Sequence, residues 1–400
     1  MNKKLLGSAI AAALGISFSG TATAIDLDTG LGTTSFMEEM DVDTNGNLQA
    51  TGQTGGSLNT TTELGFGFAA DNSDIYIRFD LDNGATWSAN LSAENLNTTG
   101  CSTISLSAGG TTTDNYVVFN VTGIQALSQT EGITLDLNDS VADTPTDAGN
   151  ISGVKVINKS PVNITYGLYT TPVAALDQTG VLATKSGTLL DFSPVLGLTG
   201  SKTAATAEVV DDFKRFSGAQ VVNVGVDTRA RIGTVTFEVN TVYKRDLTSA
   251  TAADAGATAT SELTITGDFG SAASVNLNTN MDCSSGTNIA GTIASDGLSA
   301  AFVVGEATPL TYYVCFTADT DNSMPENVYT GAYLNLSDEE VGEIVRNGVE
   351  LLAPFFTVHP LYTARFYLTN TSAKTAPFTV EVQTDSGTNA SGVGIPACTL

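Results

Sequence analysis

Side chains that switch between apolar and polar at every second residue leave a chain little option but to form strands. In Ile75-Tyr76-Ile77-Arg78-Phe79-Asp80, Ile75, Ile77 and Phe79 share one face, and Tyr76 and Arg78 share the other. The same character recurs at 115–121, 154–157, 164–169, 221–226, 234–242, 262–266 and 364–368. Glycine, Asn, Asp and Ser punctuate these runs at Asp82-Asn83-Gly84, Gly109-Gly110, Asp147-Ala148-Gly149, Ser285-Gly286 and Asp385-Ser386-Gly387. Many short strands with turn residues between them predict stacked antiparallel sheets rather than βαβ units. The expected class is all-β: tandem antiparallel β-sandwich (Ig-like) domains with a small C-terminal β module.

Only two places read as helical. Residues 211–216 suit a single turn. Ser337-Asp338-Glu339-Glu340 resembles a capping box before 341–352. Against that helix stands Asn347-Gly348, which supplies the positive φ of a tight hairpin turn between 344–346 and 349–351. The hairpin is the preferred expectation. At 400 residues the chain exceeds one ordinary domain, and composition shifts place boundaries at 25–205, 206–336 and 337–400. Strict repeats are absent from the sequence, and long Thr/Ala-rich stretches with only 7% aromatics disfavour an outer-membrane barrel.

The first 24 residues read as a secretory signal peptide. Lys3 and Lys4 precede an apolar stretch, and Ala22-Thr23-Ala24 forms an A-x-A cleavage site. Export to the cell surface or medium is expected, with the periplasm as the alternative. No later run suggests a membrane-spanning helix in the mature chain. Without Lys3 and Lys4 the chain holds 14 basic residues against 42 acidic ones. Such an anionic surface excludes nucleic acid as a partner, because phosphate binding needs clustered cations. Six of those bases, Lys214, Arg215, Arg229, Arg231, Lys244 and Arg245, fall close together in sequence and could converge on an acidic neighbour or a polysaccharide.

Four cysteines in an exported chain permit three disulfide pairings. Cys283 with Cys315 is favoured, since each borders a strand-like run. Cys101 and Cys398 would then join first and last domains or pair between molecules. Carboxylates spaced around tight turns raise calcium as a possible cofactor. Asp41, Asp43 and Asn45 precede Gly46, as in the first half of a calcium loop, but Gly52 stands where a bidentate Glu belongs. Asp80 with Asp82, and Asp319 with Asp321, are weaker candidates that also suit hairpin turns. His359 is the single imidazole, no G-x-S-x-G occurs, and Trp87 alone makes a poor sugar platform. Catalytic residues are therefore not assigned, and no enzyme is expected.

The A-x-A signal, the acidic low-lysine composition, the strand from Ile75 to Asp80 and the Ala/Thr/Gly-rich sandwich runs resemble bacterial surface-layer and other exported cell-surface structural proteins. The stretch from Val345-Arg346-Asn347-Gly348 to Ala364-Arg365-Phe366-Tyr367-Leu368-Thr369-Asn370 resembles a module of exported proteobacterial proteins of this kind. The resemblance implies assembly into a layer or coat, often with calcium, and a last module that continues further than Leu400. A structural protein that self-associates is thus the leading expectation. An adhesin or carbohydrate-binding protein, using the 214–245 bases or loops near Trp87, is the alternative. A secreted hydrolase with paired acids comes third.

Overall fold

Alternation becomes architecture once each strand buries one face. In the computed structural model, Ile75–Leu81 sits in mid-sheet with Ile75, Ile77, Phe79 and Leu81 buried in the core. Phe79 lies opposite Val117 on one neighbour and Tyr166 on the other, its ring 5.7 Å from the Tyr166 ring. The structure describes residues 25–348 except 41, 43–46, 49–57, 70–73, 99–102, 125 and 138–152. These residues belong to one compact unit that ends at Gly348. Residues 1–24, Cys101 and residues 349–400, which include His359 and Cys398, lie outside them.

The fold is all-β, with β-sandwiches in tandem. In the first, a six-stranded sheet runs in the order Thr34–Met37, Ala183–Ser193, Val162–Tyr169, Ile75–Leu81, Tyr116–Thr122, Thr103–Gly109. A four-stranded sheet (Ile25–Asp26, Thr60–Glu63, Gly132–Leu135, Leu96–Thr98) and a three-stranded one (Asn47–Leu48, Val154–Lys155, Thr86–Trp87) complete it. In the second, five strands (Leu196–Lys202, Arg229–Val239, Leu310–Ala318, Ala272–Asn278, Asn288–Ala290) pack on seven. The seven are Phe216–Ser217, Ala204–Ala207, Glu339–Arg346, Asn327–Tyr333, Glu262–Thr266, Ser299–Val303 and Thr292–Ile293. Sheet membership changes at residues 194–195. Most pairs are antiparallel, but three are parallel: Ile25–Asp26 on Thr60–Glu63, Thr34–Met37 on Ala183–Ser193, and Ala204–Ala207 on Glu339–Arg346.

Residues 339–346 are a strand, which removes the helix that the capping-box pattern offered. Val341 and Ile344 are buried, and the strand is paired on both sides, so ladder bonds replace helical ones. This strand, assigned from sequence to the terminal module, therefore runs inside the second sandwich. The helical turn expected at 211–216 does not form there: a short 3-10 turn covers Val209–Asp211 instead, Asp212 and Phe213 take positive φ, and Phe216 already belongs to a strand. An unforeseen α-helix covers Pro172–Asp177. Thr171 caps it by accepting a bond from Ala174 N at 3.1 Å, and Pro172 stands in its first turn. It lies over Tyr76, Val118 and Tyr169, so the outer face of the six-stranded sheet is covered there rather than open to water.

The second sandwich curls. Its chain leaves the five-stranded sheet at Lys202 and joins the seven-stranded sheet at Ala204, turning a corner at Thr203, whose N–H donates to Ile232 O at 2.9 Å. Glycine is required at this corner: a Cβ on Gly233 would run into the carbonyl oxygens of Val341 and Ser201. The core below is aromatic. Phe237 meets Tyr333 edge-on at 5.0 Å, Phe269 lies 4.9 Å from Tyr329, and Phe316 contacts Phe216 at 5.9 Å. The buried phenols still satisfy their polar ends, Tyr329 donating to Asp268 O and Tyr333 to Gly305 O.

Candidate interaction surface

The two edges of the six-stranded sheet have different fates. Along Thr34–Met37, Tyr243 of the second sandwich closes the ladder: Met37 N donates to Tyr243 O at 2.9 Å, and Tyr243 N to Ser35 O at 2.8 Å. At the far end, Thr103–Gly109 pairs with Tyr116–Thr122 on one side only. Its sequence, T-I-S-L-S-A-G, carries no charge and no proline. Thr103, Ser105, Leu106 and Ser107 are exposed, Leu106 by 39%. Among the described residues no strand pairs with its outer edge. A bulge between Leu106 and Ala108 twists the last residues, and Gly109 and Gly110 take positive φ to turn the chain. The turn is locked by Asp114, which accepts from Thr111 N and Oγ1, bonds that lower its pKa.

An uncharged, seven-residue edge is a template for another strand. The other edges are shorter or covered. Phe216–Ser217, Thr292–Ile293 and Ile25–Asp26 hold two residues each. Leu196–Lys202 packs against Glu339–Arg346 and ties Lys202 to Glu340 at 2.9 Å.

Asp80 and Asp82 point to protein partners. Asp80 grips the guanidinium of Arg78 with both oxygens, at 2.6 and 2.7 Å, and accepts from Gln178 Nε2. Arg78 in turn donates to Ala175 O and Leu176 O at the end of the helix and lies 4.6 Å over the Tyr116 ring. Burial pulls the Arg78 pKa down, but the Asp80 hydrogen bonds and charge outweigh it and hold it above its ordinary value. Asp82 accepts from Asn163 N at 2.7 Å and Asn163 Nδ2 at 2.8 Å. Asp319 folds onto its own turn, taking Asp321 N at 3.0 Å and Asn322 Nδ2 at 2.7 Å, while Asp321 is exposed. Asp41, Asp43 and Asn45 lie outside the described residues. Within the described residues, no three His, Cys, Asp or Glu side chains gather as a metal-sized group.

The bases between 214 and 245 are shared out among separate partners. Arg229 reaches Thr317 Oγ1 and Cys283 O, Arg231 bonds Gln220 at 2.8 Å, and Lys244 faces Asp254 at 3.6 Å. Lys214 lies 4.0 Å from Asp212, and Arg215 is exposed. Trp87 is fully buried and donates its indole N–H to Tyr116 O, which makes it a core residue rather than a sugar platform. Cys283 and Cys315 form a disulfide that fastens the loop after Ala272–Asn278 to the strand Leu310–Ala318. In that loop Asp282 accepts from Ser285 Oγ, Ser285 N and Ser284 N, which draw its carboxyl down to about 2.

No helix among the described residues is long and apolar enough to cross a membrane. The disulfide is compatible with an exported chain. No protein-family model and no curated protein matches this sequence.

Proposed function

We propose that this is an exported, non-enzymatic structural protein of the cell surface that associates with copies of itself along the Thr103–Gly109 edge. One observation carries the reading. The largest sheet of the first sandwich ends on an uncharged strand whose outer edge pairs with no described strand, whereas its opposite edge is sealed by Tyr243. Strand addition supplies main-chain hydrogen bonds without requiring a pocket. The net charge of −26 opposes close packing of copies, and calcium bridging surface carboxylates would offset that repulsion. A carbohydrate-binding reading draws less support, because Trp87 is buried and the 214–245 bases are engaged separately.

Light scattering at high protein concentration tests the proposal, with calcium and after EDTA. Oligomers should form with calcium and dissociate with EDTA. Replacing both exposed serines of the edge (Ser105→Glu with Ser107→Glu) should keep the chain monomeric, since like charges would face each other across an added strand. A wild-type chain that stays monomeric throughout would defeat it.

A further inference from the structure

We propose that Lys185 and Asp28 condense to an intramolecular amide, a covalent tie between the first strand and the six-stranded sheet. Strand alternation in Ala183–Ser193 puts Ala183, Lys185 and Gly187 on the side that meets the four-stranded sheet, and all three are half-buried. Ile25 and Leu27 pack directly over Gly187, where a Cβ would stand 3.0 and 3.1 Å from their methyl carbons. This approach carries the tight turn after Ile25–Asp26 onto Lys185. There, Lys185 Nζ lies directly against Asp28 Oδ1, across a sequence separation of 157 residues. Their side chains are 22% and 26% exposed, Asp28 standing on the exposed turn and Lys185 half-buried beside it.

The surroundings suit amide formation. Asp28 Oδ2 accepts a hydrogen bond from Glu63 N at 2.7 Å, which polarises Cγ and would steady the oxyanion of a tetrahedral intermediate. Lys185 Nζ also donates to Glu63 O at 3.2 Å, an orientation that holds the amine beside the carboxyl. Asp26 fixes the turn by accepting from Asp28 N at 2.9 Å and from Thr29 Oγ1 at 2.9 Å. Desolvation lowers the Lys185 pKa, favouring the neutral amine, although the nearby Asp26 charge opposes the shift.

In the step itself, the Lys185 ammonium passes one proton to Asp28 Oδ1, the freed Nζ lone pair attacks Cγ and the C–N bond forms. A second proton moves from nitrogen to the Oδ1 hydroxyl, which leaves as water. Oδ2 becomes the amide oxygen and keeps its bond from Glu63 N. Atoms balance as amine plus acid giving amide plus water, with no oxidant or cofactor. The tie would secure a strand whose ladder with Thr60–Glu63 is only two residues long.

Intact mass of the reduced full chain tests this. The wild type should weigh one water less than its sequence, and tryptic digestion should yield a branched peptide joining Asp28 to an uncleaved Lys185. Lys185→Arg keeps the ion pair but forms no amide, so that chain should show its full mass. Asp28→Ala should do the same. Wild type at full mass overturns the proposal. So does a water-deficient chain that trypsin still cuts after Lys185, which would indicate a cyclised aspartate instead.

Discussion

The two sandwiches solve the same problem, how to end a sheet, in different ways. The second curls until its long strands meet, turning at Thr203 over Gly233, and what remains at its rims is two or three residues long or packed against the other sheet. The first keeps a broad six-stranded sheet, borrows Tyr243 to finish one rim and, among the described residues, leaves the outer edge of Thr103–Gly109 unpaired. Both interiors hold rings among aliphatic side chains: Phe216, Phe237, Phe269, Phe316, Tyr329 and Tyr333 cluster in the curled body, and Phe36, Phe79, Phe119, Tyr166 and Trp87 lie with Ile75, Ile77, Leu81, Val117 and Val121 beside the open sheet. Curling removes the surface on which a partner strand could dock. Closure and availability for assembly are alternatives, and this chain holds one of each.

That contrast is breakable by experiment. Phe316→Ala should cost about 3–5 kcal/mol in denaturant unfolding, whereas Ile77→Val in the first sandwich should cost about 0.5–1.5 kcal/mol. Losses outside these two ranges would mean that the core around the deletion relaxes to fill the space. Replacing Cys283 and Cys315 together by Ala should lower stability by about 3–4 kcal/mol, given the 32-residue separation of the bridge, with the loss confined to the second body in hydrogen exchange. The smallest effect concerns acid. Asp246, Asp254 and Asp282 of the second body have lowered pKa values, held by Thr248, by Thr251 and by Ser285 with Ser284. A depressed carboxyl stabilises above its unfolded value near 3.9 and loses that contribution as pH falls through its folded value. Protection in the second body should therefore decline between pH 4 and about 2, the value to which Asp282 is drawn. A flat response across that window, read by residue-resolved exchange, would remove these turns from the comparison.

Much of this arrangement is written in local sequence. The strand Ile75–Leu81 follows from its alternation, and the Cys283–Cys315 bridge from the strands beside each sulfur. Asn83 and Gly84 both take the positive φ that Asn-Gly announces, with Ala85 N closing on Asp82 O. The role of Asp80 was legible in principle, because Arg78 stands two residues away on the same strand face, yet the D-x-D spacing drew attention to cations. Thr171-Pro172 likewise announces a capped helix that a search for strand periodicity passes over. Other features have no local signal at all. Nothing near Lys185 points to Asp28, and nothing in 103–109 says that this strand, rather than 34–37, will be the one that no described strand joins on its outer side. Those outcomes depend on which distant segment arrives beside each rim.

Tyr243 carries one such outcome into time. A ribosome delivers residues 34–37 long before it delivers the tyrosine that seals them. Until then Ser35 and Met37 lack the backbone partners that Tyr243 brings, and a chain halted short of residue 243 would be stickier than the finished one.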